Sequence, residues 1–431
     1  MNGISNTSAA PDSHVKYIPL TYSPQDSHTS ATRLILLLFP SWGQTGSIEF
    51  VRFTDGITNT LLKAVHHTEG STPESRDTDA VLLRAYGKGT DLIIDRERET
   101  QNHELLSSFG LAPELLARFH NGMIYRYIPG RVTSPADLRN PDIYRAVAKR
   151  LAEWHARVPC LPGVFTHPEH EERSEALEAA SPAPTRDLAR EDRINHVAPG
   201  KVAPNVWTVM QKWIYALPAN TEAECQRQAE LQAELLRTIG ELAERPGLGK
   251  DSLVFAHCDL LSGNVIVQPE SEAQGVKAGD AKQTVVSFID YEYAVPSPAA
   301  FDLANHFAEW GGFDCDFSVL PTRAQRRDFI GHYIKAYYSY FPDQADKSAE
   351  ELEQETEKLA KEVDVYRGVP GLYWGVWAII QSMISQIDFD YAGYAEIRLG
   401  EYFAWRAEED GSRVKGAKEM PLRERRWAQE E

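Results

Sequence analysis

Two short apolar runs, residues 252–256 and 265–267, bracket a polar loop that reads His257-Cys258-Asp259-Leu260-Leu261-Ser262-Gly263-Asn264. Such runs around a polar segment predict strand, loop, strand. A further apolar run, 285–289, ends on Asp290. The pattern puts an Asp, an Asn and a second Asp at neighbouring strand ends, and no other feature of the chain constrains its chemistry as much. One carboxylate can accept the proton of an attacking hydroxyl, while an amide oxygen and another carboxylate hold a divalent cation over phosphates. Taken alone, His-x-Asp with a trailing Asn fits a polar surface loop. The strand context and the Ile289-Asp290 end turn the reading toward metal-assisted phosphoryl transfer.

The spacing is that of a kinase catalytic loop followed by its metal-binding Asp. Two more runs extend it: Ile289-Asp290-Tyr291-Glu292-Tyr293, and Phe301-Asp302-Leu303-Ala304-Asn305-His306-Phe307-Ala308-Glu309-Trp310. Together these stretches resemble the choline/ethanolamine kinase family, which phosphorylates the hydroxyl of small amino alcohols with MgATP. The resemblance covers roughly residues 15–410, apart from an insertion at 159–204 rich in Pro, Glu, Ala and Arg. It implies an α+β, two-lobed protein-kinase-like fold. A small N-terminal antiparallel-sheet lobe would occupy 15–128 and bind nucleotide. A large, mainly helical C-terminal lobe over 129–431 would carry catalysis and substrate binding, while residues 1–14, without periodicity, would be a disordered tail. By the same resemblance Asp259 takes the hydroxyl proton, Asn264 and Asp290 bind Mg²⁺, and His257 braces the loop. Cys258 stands where the family commonly has Asn, and Ala300 where it commonly has Gly.

The N-terminal part reads as strands at 48–53, 61–65 and 80–86, a helix near 30–39, a polar loop over 66–79, a charged helix over 91–109, and a hairpin of 115–119 with 123–128. Between the first two strands lies Phe53-Thr54-Asp55-Gly56-Ile57-Thr58-Asn59. By its residues this is a hairpin turn; by resemblance it is the loop over the nucleotide phosphates, which implies contacts from Gly56, Ile57, Thr58 and Asn59. Arg84 stands where protein kinases carry a phosphate-touching Lys, and Glu99 where its acidic partner lies, with Glu104 as the neighbouring competitor. A lone Arg on a strand otherwise reads as a solvent-facing ion pair. Tyr127 and Ile128 would lie at the hinge, where backbone groups read adenine.

Further on, helices are expected at 142–158, 206–217 and 222–244, with His155 as a packed helix residue. After the catalytic segment the pattern is all helical: about 299–311, 323–341, 346–366, 370–387 and 392–408. Trp374 and Trp377 are three apart and share one helix face. Their residue types fit core packing as well as a cation site. The family resemblance places an ammonium pocket there, with Glu309 and Tyr394 as further members and Asp302 as a second carboxylate near metal or substrate. Choline offers no N–H and needs aromatic faces, whereas ethanolamine has N–H donors that need oxygen acceptors. The stretches 54–59 and 377–394 look closer to the ethanolamine branch. That implies ATP:ethanolamine O-phosphotransferase activity, giving phosphoethanolamine as the first step of phosphatidylethanolamine synthesis by the CDP-ethanolamine route. A choline kinase, a dual-specificity kinase and a catalytically dead binding module remain alternatives.

Charge and cysteine usage narrow the rest. A net charge of −18 argues against nucleic acid and anionic lipid as partners and suits a cationic substrate. The four cysteines are scattered without metal-ligand spacing, and the apolar run at 34–39 is too short to span a bilayer and lacks signal-peptide flanks. The expectation is a cytoplasmic enzyme whose partners are ATP and ethanolamine, with Mg²⁺ as cofactor; a homodimer is compatible with the sequence.

Overall fold

The computed structural model describes residues 15–53, 59–87, 90–160, 188–269, 284–385 and 387–431. The chain groups into two compact units, Met1–Gly87 with Pro113–Ile128, and Lys88–Ala112 with Pro129–Glu431.

The first unit holds β1 (Lys16–Ile18), α1 (Ser27–Leu38), β2 (Ser47–Phe53), β3 (Asn59–His67), α2 (Pro73–Asp79), β4 (Val81–Tyr86), β5 (Leu115–Phe119) and β6 (Gly122–Arg126). Its six strands run in the order β1-β5-β6-β4-β3-β2. The pairing is antiparallel except at the edge, where β1 runs parallel to β5. Leu62, Leu83 and Ile124 lie in register across three adjacent strands. With Ala31, Leu34 and Ile35 of α1 they form one core, so the period-2 face of the sheet meets the i, i+3, i+4 face of a helix. The expected loop over 66–79 instead contains α2. Thr72 and Ser75 cap each other's backbone N–H at 3.0 and 3.2 Å, and Pro73 fills the first helical position. These caps outweigh the polar composition.

The second unit begins with α3 (Arg96–Ser108), whose start is set five residues later than expected because the Asp95 side chain accepts from the Arg98 N–H at 3.1 Å. There follow β7 (Arg131–Val132), α4 (Pro141–Arg157), α5 (Leu188–Asn195), α6 (Val206–Ala216) and α7 (Glu222–Leu242). Next come β8 (Val254–Ala256), β9 (Val265–Val267), β10 (Val286–Phe288), β11 (Val295–Ser297) and α8 (Ala299–Ala308). The C-terminal helices are α9 (Arg323–Ser339), α10 (Ala349–Tyr366), α11 (Val369–Ile384), α12 (Tyr391–Glu409), α13 (Ser412–Lys415) and α14 (Leu422–Ala428). Helix α5 lies inside the expected insertion, of which 161–187 fall outside the described residues.

One correction concerns the strands. The runs before and after the polar loop do not pair with each other: β8 pairs with β11, and β9 lies between β10 and β7. The chain after Asp290 is therefore not wholly helical, since β11 precedes α8. Its three residues, Val-Pro-Ser, are too short to show periodicity. Helices α11 and α12 pack closely because Gly371 and Gly375 leave no side chain between them. A Cβ on Gly371 would stand 2.5 Å from the Arg398 carbonyl oxygen, and one on Gly375 would stand 2.6 Å from Leu399 Cγ. Among the described residues no helix is long and apolar enough to cross a membrane.

Candidate active site

The strand pairings bring the loop and Asp290 together. Val265 stands opposite Phe288 in the β9–β10 ladder, and the Ile289 N–H donates to the Asn264 carbonyl at 3.0 Å. Asn264 and Asp290 thus lie at adjoining strand ends. Asn264 Nδ2 donates to the Asp259 carbonyl at 2.8 Å and to Asp259 Oδ2 at 3.1 Å. The amide is thereby oriented with Oδ1 as its remaining acceptor, which fits a hard cation. Among the described residues no three His, Cys, Asp or Glu side chains form a metal group. One amide and one carboxylate would hold only part of a Mg²⁺ shell, as is usual where phosphates supply the rest.

His257 is fully buried, and burial lowers its pKa. Its Nδ1 accepts the Asp259 N–H at 3.3 Å, so Nε2–H donates to the Ile289 carbonyl at 3.1 Å. Both nitrogens are spent on backbone. Burial raises the Asp259 pKa well above the usual carboxylate range, and the charges of Asp290, Glu309 and Glu292 add to it, while the Asn264 amide works the other way. A cation arriving among these acids favours the ionised form.

Helix α8 holds the loop by three residues at i, i+3 and i+4. Asp302 Oδ1 accepts from the Cys258 N–H at 2.8 Å, and Oδ2 accepts from the His257 N–H at 3.1 Å. Asn305 Nδ2 donates to the Cys258 carbonyl at 2.9 Å, and His306 Nδ1 donates to the Leu260 carbonyl at 2.8 Å. Asp302, expected as a second carboxylate near metal or substrate, braces the loop. It is fully buried, and His155 Nε2 lies 3.0 Å from its Oδ2. Burial would raise its pKa, but His155 and the loop donors outweigh that and hold it below the ordinary value. His155 is packed in its helix as the sequence predicts; its polar role depends on a helix 147 residues away in the chain and leaves no local mark.

The expected ammonium-binding side chains are all buried in the same unit. Trp374 and Trp377 meet edge to face at 5.4 Å between centroids. Trp374 Nε1 donates to Asn305 Oδ1 and Trp377 Nε1 to the Tyr293 hydroxyl, each at 2.8 Å. Their N–H groups are thus committed to protein acceptors, and their rings also pack edge to face against Tyr293, Tyr373 and Tyr391. Tyr394 packs against Phe389 and Phe313 with centroids 5.7 and 6.1 Å apart. Glu309 Oε1 lies 3.2 Å from Arg398 Nη2. Tyr293 and Arg398 escaped the sequence reading. Tyr293 ends the Ile289–Tyr293 run and was within reach of it, whereas nothing local marks Arg398.

The nucleotide-binding expectations meet the structure unevenly. Gly56, Ile57 and Thr58 lie outside the described residues. Asn59 opens β3 opposite Tyr86. Arg84 is 4% exposed on the face of β4 opposite to Leu83, so it is not a solvent-facing ion pair. The Tyr127 N–H donates to the Ala80 carbonyl at 3.0 Å, and Lys63 Nζ sits 3.8 Å from its ring centre. Ile128, half-buried, ends the first unit. Glu99, in the second unit, is buried with Oε2 at 2.9 Å from Arg96 Nη1, which also lies 3.3 Å from Glu292 Oε2.

Comparison with known proteins bears on this arrangement. The profile of the choline/ethanolamine kinase family matches residues 50–403. A probable ethanolamine kinase of Arabidopsis thaliana is 32% identical over 372 residues, covering 85% of this chain and 82% of its own. A probable ethanolamine kinase of Nematostella vectensis is 30% identical over 392 residues, covering 90% and 96%. Among solved structures, a Plasmodium vivax ethanolamine kinase superposes with a TM-score of 0.61 at 24% identity, over 88% of this chain and 89% of that one. A Cryptosporidium parvum choline kinase gives 0.53 at 20% identity, over 90% and 97%. These last two establish the shared two-lobed protein-kinase-like fold. The chain belongs to the choline/ethanolamine kinase family.

Proposed function

We propose that this chain is an ethanolamine kinase that transfers the γ-phosphoryl group of ATP to the ethanolamine hydroxyl, the entry step to phosphatidylethanolamine by the CDP-ethanolamine route. The observation that carries the reading is the pairing of Asp259 with Asn264 on a loop braced by α8, the helix that also leads into Glu309. Asp259 takes the hydroxyl proton as the substrate oxygen bonds to phosphorus. The bond from phosphorus to the β–γ bridging oxygen breaks, and ADP leaves with that electron pair. Asn264 Oδ1 and the Asp290 carboxylate are the residues that would hold Mg²⁺, which when bound offsets charge on the phosphates. Proposed ATP contacts are Gly56, Ile57, Thr58, Asn59 and Arg84, with Glu99 as the acid assigned to Arg84, and the backbone of Tyr127 and Ile128.

Ethanolamine fits the other end. Its ammonium needs an oxygen acceptor, for which Glu309 stands ready, and Trp374, Trp377 and Tyr394 supply aromatic surface. The charge of Glu309 is felt at Asp259, so an ammonium at Glu309 also favours the ionised base. The relatives named ethanolamine kinase support the same substrate. All four cysteines are free thiols, which supports a cytoplasmic location. Coupled measurement of ADP release by the full chain, with ethanolamine and with choline, tests the proposal. A clear preference for choline overturns the substrate, and no ADP release with either amine overturns the activity.

A further inference from the structure

We infer that Arg398 is a positioning residue for the substrate: it presents Glu309 to the ammonium group, and it is itself held by a chain of ion pairs that runs through α14 to Arg367 at the end of α10. The inference rests on the ethanolamine-kinase reading above. Arg398 Nη2 lies 3.2 Å from Glu309 Oε1, and its Nε lies 3.3 Å from Glu401 Oε1. Glu401 Oε2 lies 2.9 Å from Arg423 Nε, and Arg423 Nη1 lies 2.9 Å from Glu424 Oε1. Glu424 Oε2 then lies 3.0 Å from Arg367 Nε. Charge alternates along the whole series, and Glu309, Arg398, Glu401, Arg423 and Glu424 are each at most 4% exposed.

The arrangement solves a problem that a cation site in a water-poor interior must face. Burial pushes the Glu309 pKa up, the charge of Glu401 pushes it further, and Arg398 acts against both. A protonated Glu309 would accept from an ammonium without pairing its charge. Arg398 keeps one oxygen of the carboxylate occupied, while among the described residues Oε2 accepts no hydrogen bond. A long side chain with a single partner could swing away. Here the guanidinium is hydrogen-bonded to Glu309 on one side and on the other makes a charge contact, without hydrogen-bond geometry, to Glu401, which Arg423 fixes in turn. Arg398 also stands 5.7 Å from the centre of the Tyr394 ring, so it touches two of the proposed substrate-binding side chains. An oriented, charged oxygen matters most to an ammonium that has N–H donors. A quaternary ammonium depends more on ring faces.

The test compares the wild-type full chain with Arg398→Gln, Arg398→Lys and the charge-balanced pair Arg398→Gln/Glu401→Gln, each assayed for ADP release with ethanolamine and with choline. Arg398→Gln is expected to raise KM for ethanolamine about thirtyfold or more, the least that loss of a buried charge partner produces. Its kcat and its KM for MgATP should stay within about threefold, since uniform ground-state binding is what has been lost. KM for choline should rise less, and Arg398→Lys should recover part of the loss. Where Arg398→Gln yields no folded protein, the charge-balanced pair is read in its place, because it leaves fewer unpaired charges buried. An ethanolamine KM within about twofold of wild type, equal rises for both amines, or a fall in kcat at unchanged KM would overturn the inference. A wild-type chain inactive on ethanolamine would instead overturn the function on which it rests, before any variant is compared.

Discussion

Replacing Asp302 by Asn tests whether α8 governs the catalytic loop. The carboxylate accepts from two backbone N–H groups, those of Cys258 at 2.8 Å and His257 at 3.1 Å, and faces His155 Nε2 at 3.0 Å. An amide retains one acceptor. If that oxygen stays on Cys258, the new NH₂ group can turn to His155 in its Nε2-acceptor tautomer, but it then opposes the His257 N–H donor to donor. The loss is the charge assistance at one amide plus one buried orphan donor, together about 3 kcal/mol. Because a chain of this size need not unfold in two states, the direct readout is amide hydrogen exchange at His257 and Cys258. Protection there should fall about a hundredfold, with kcat for ethanolamine down at least about tenfold from misplacement of Asp259. Unchanged exchange at both amides would refute the bracing argument, whatever happened to activity.

The other predictions concern the base, a buried histidine and a helix contact. Asp259→Asn should cut kcat by about two to four orders of magnitude while calorimetry still detects MgATP binding; turnover near wild type would exclude Asp259 as the base. His306 is buried, donates to the Leu260 carbonyl and accepts from Trp310 Nε1 at 3.3 Å, and burial brings its pKa down to about 4. The neutral ring is the folded form, so the unfolded chain binds the proton first. Stability from this group is complete above about pH 6.5 and is lost as pH falls through about 4, by up to about 3 kcal/mol. Thermal melts of His306→Gln should therefore decline less between pH 7 and 4 than those of wild type, and parallel declines would contradict this. Gly375→Ala would set a Cβ 2.6 Å from Leu399 Cγ. It should destabilise by about 1–3 kcal/mol, seen as a lowered Tm; an unchanged Tm would mean that α12 gives way freely.

What could be read ahead of the structure was what short-range chemistry writes into short stretches. The apolar period of α4, the Asn121-Gly122 turn between β5 and β6, and the Asp259–Asn264 spacing each lie within a few residues. Hairpin partners were legible too, but pairings between strands that are not joined by a hairpin loop were not. Nothing inside residues 254–256 says that β8 joins a strand containing Pro296 rather than β9, because edge strands of three residues carry too little pattern to choose. Helix α2 was hidden by its polar composition, although its Thr72–Ser75 cap stood in plain view. The polar supports of the site, His155 beneath Asp302 and Arg398 beside Glu309, join residues 147 and 89 positions apart. Their sequence neighbourhoods describe ordinary amphipathic helices.

The bracing by α8 also accounts for one of two unusual backbone positions. Cys258 and Asp290 both take left-handed φ values, 62° and 66°, a conformation that costs a residue with a side chain on the order of 1–2 kcal/mol. Asn would enter it more readily at position 258. The turn at Cys258 aims its own N–H at Asp302 Oδ1 while its carbonyl meets Asn305 Nδ2, so one strained residue is held through both backbone groups by one helix face. Two such bonds inside the protein, one of them to a carboxylate, contribute about 2–4 kcal/mol, enough to offset the strain. The Cys258 thiol lies 3.3 Å from Ser297 Oγ on β11 and ties the same turn to the strand beside it. The strain belongs with the chemistry it serves, because relaxing Cys258 would swing Asp259 away from Asn264. Asn305 reaches further: its Oδ1 accepts the indole N–H of Trp374, so the side chain that fixes the base's neighbour also fixes a wall of the proposed ammonium site. On the proposed roles one helix would set the distance between proton acceptor and ammonium, and an amino alcohol whose hydroxyl and nitrogen are separated by a fixed number of carbons is the kind of molecule such a spacing would select.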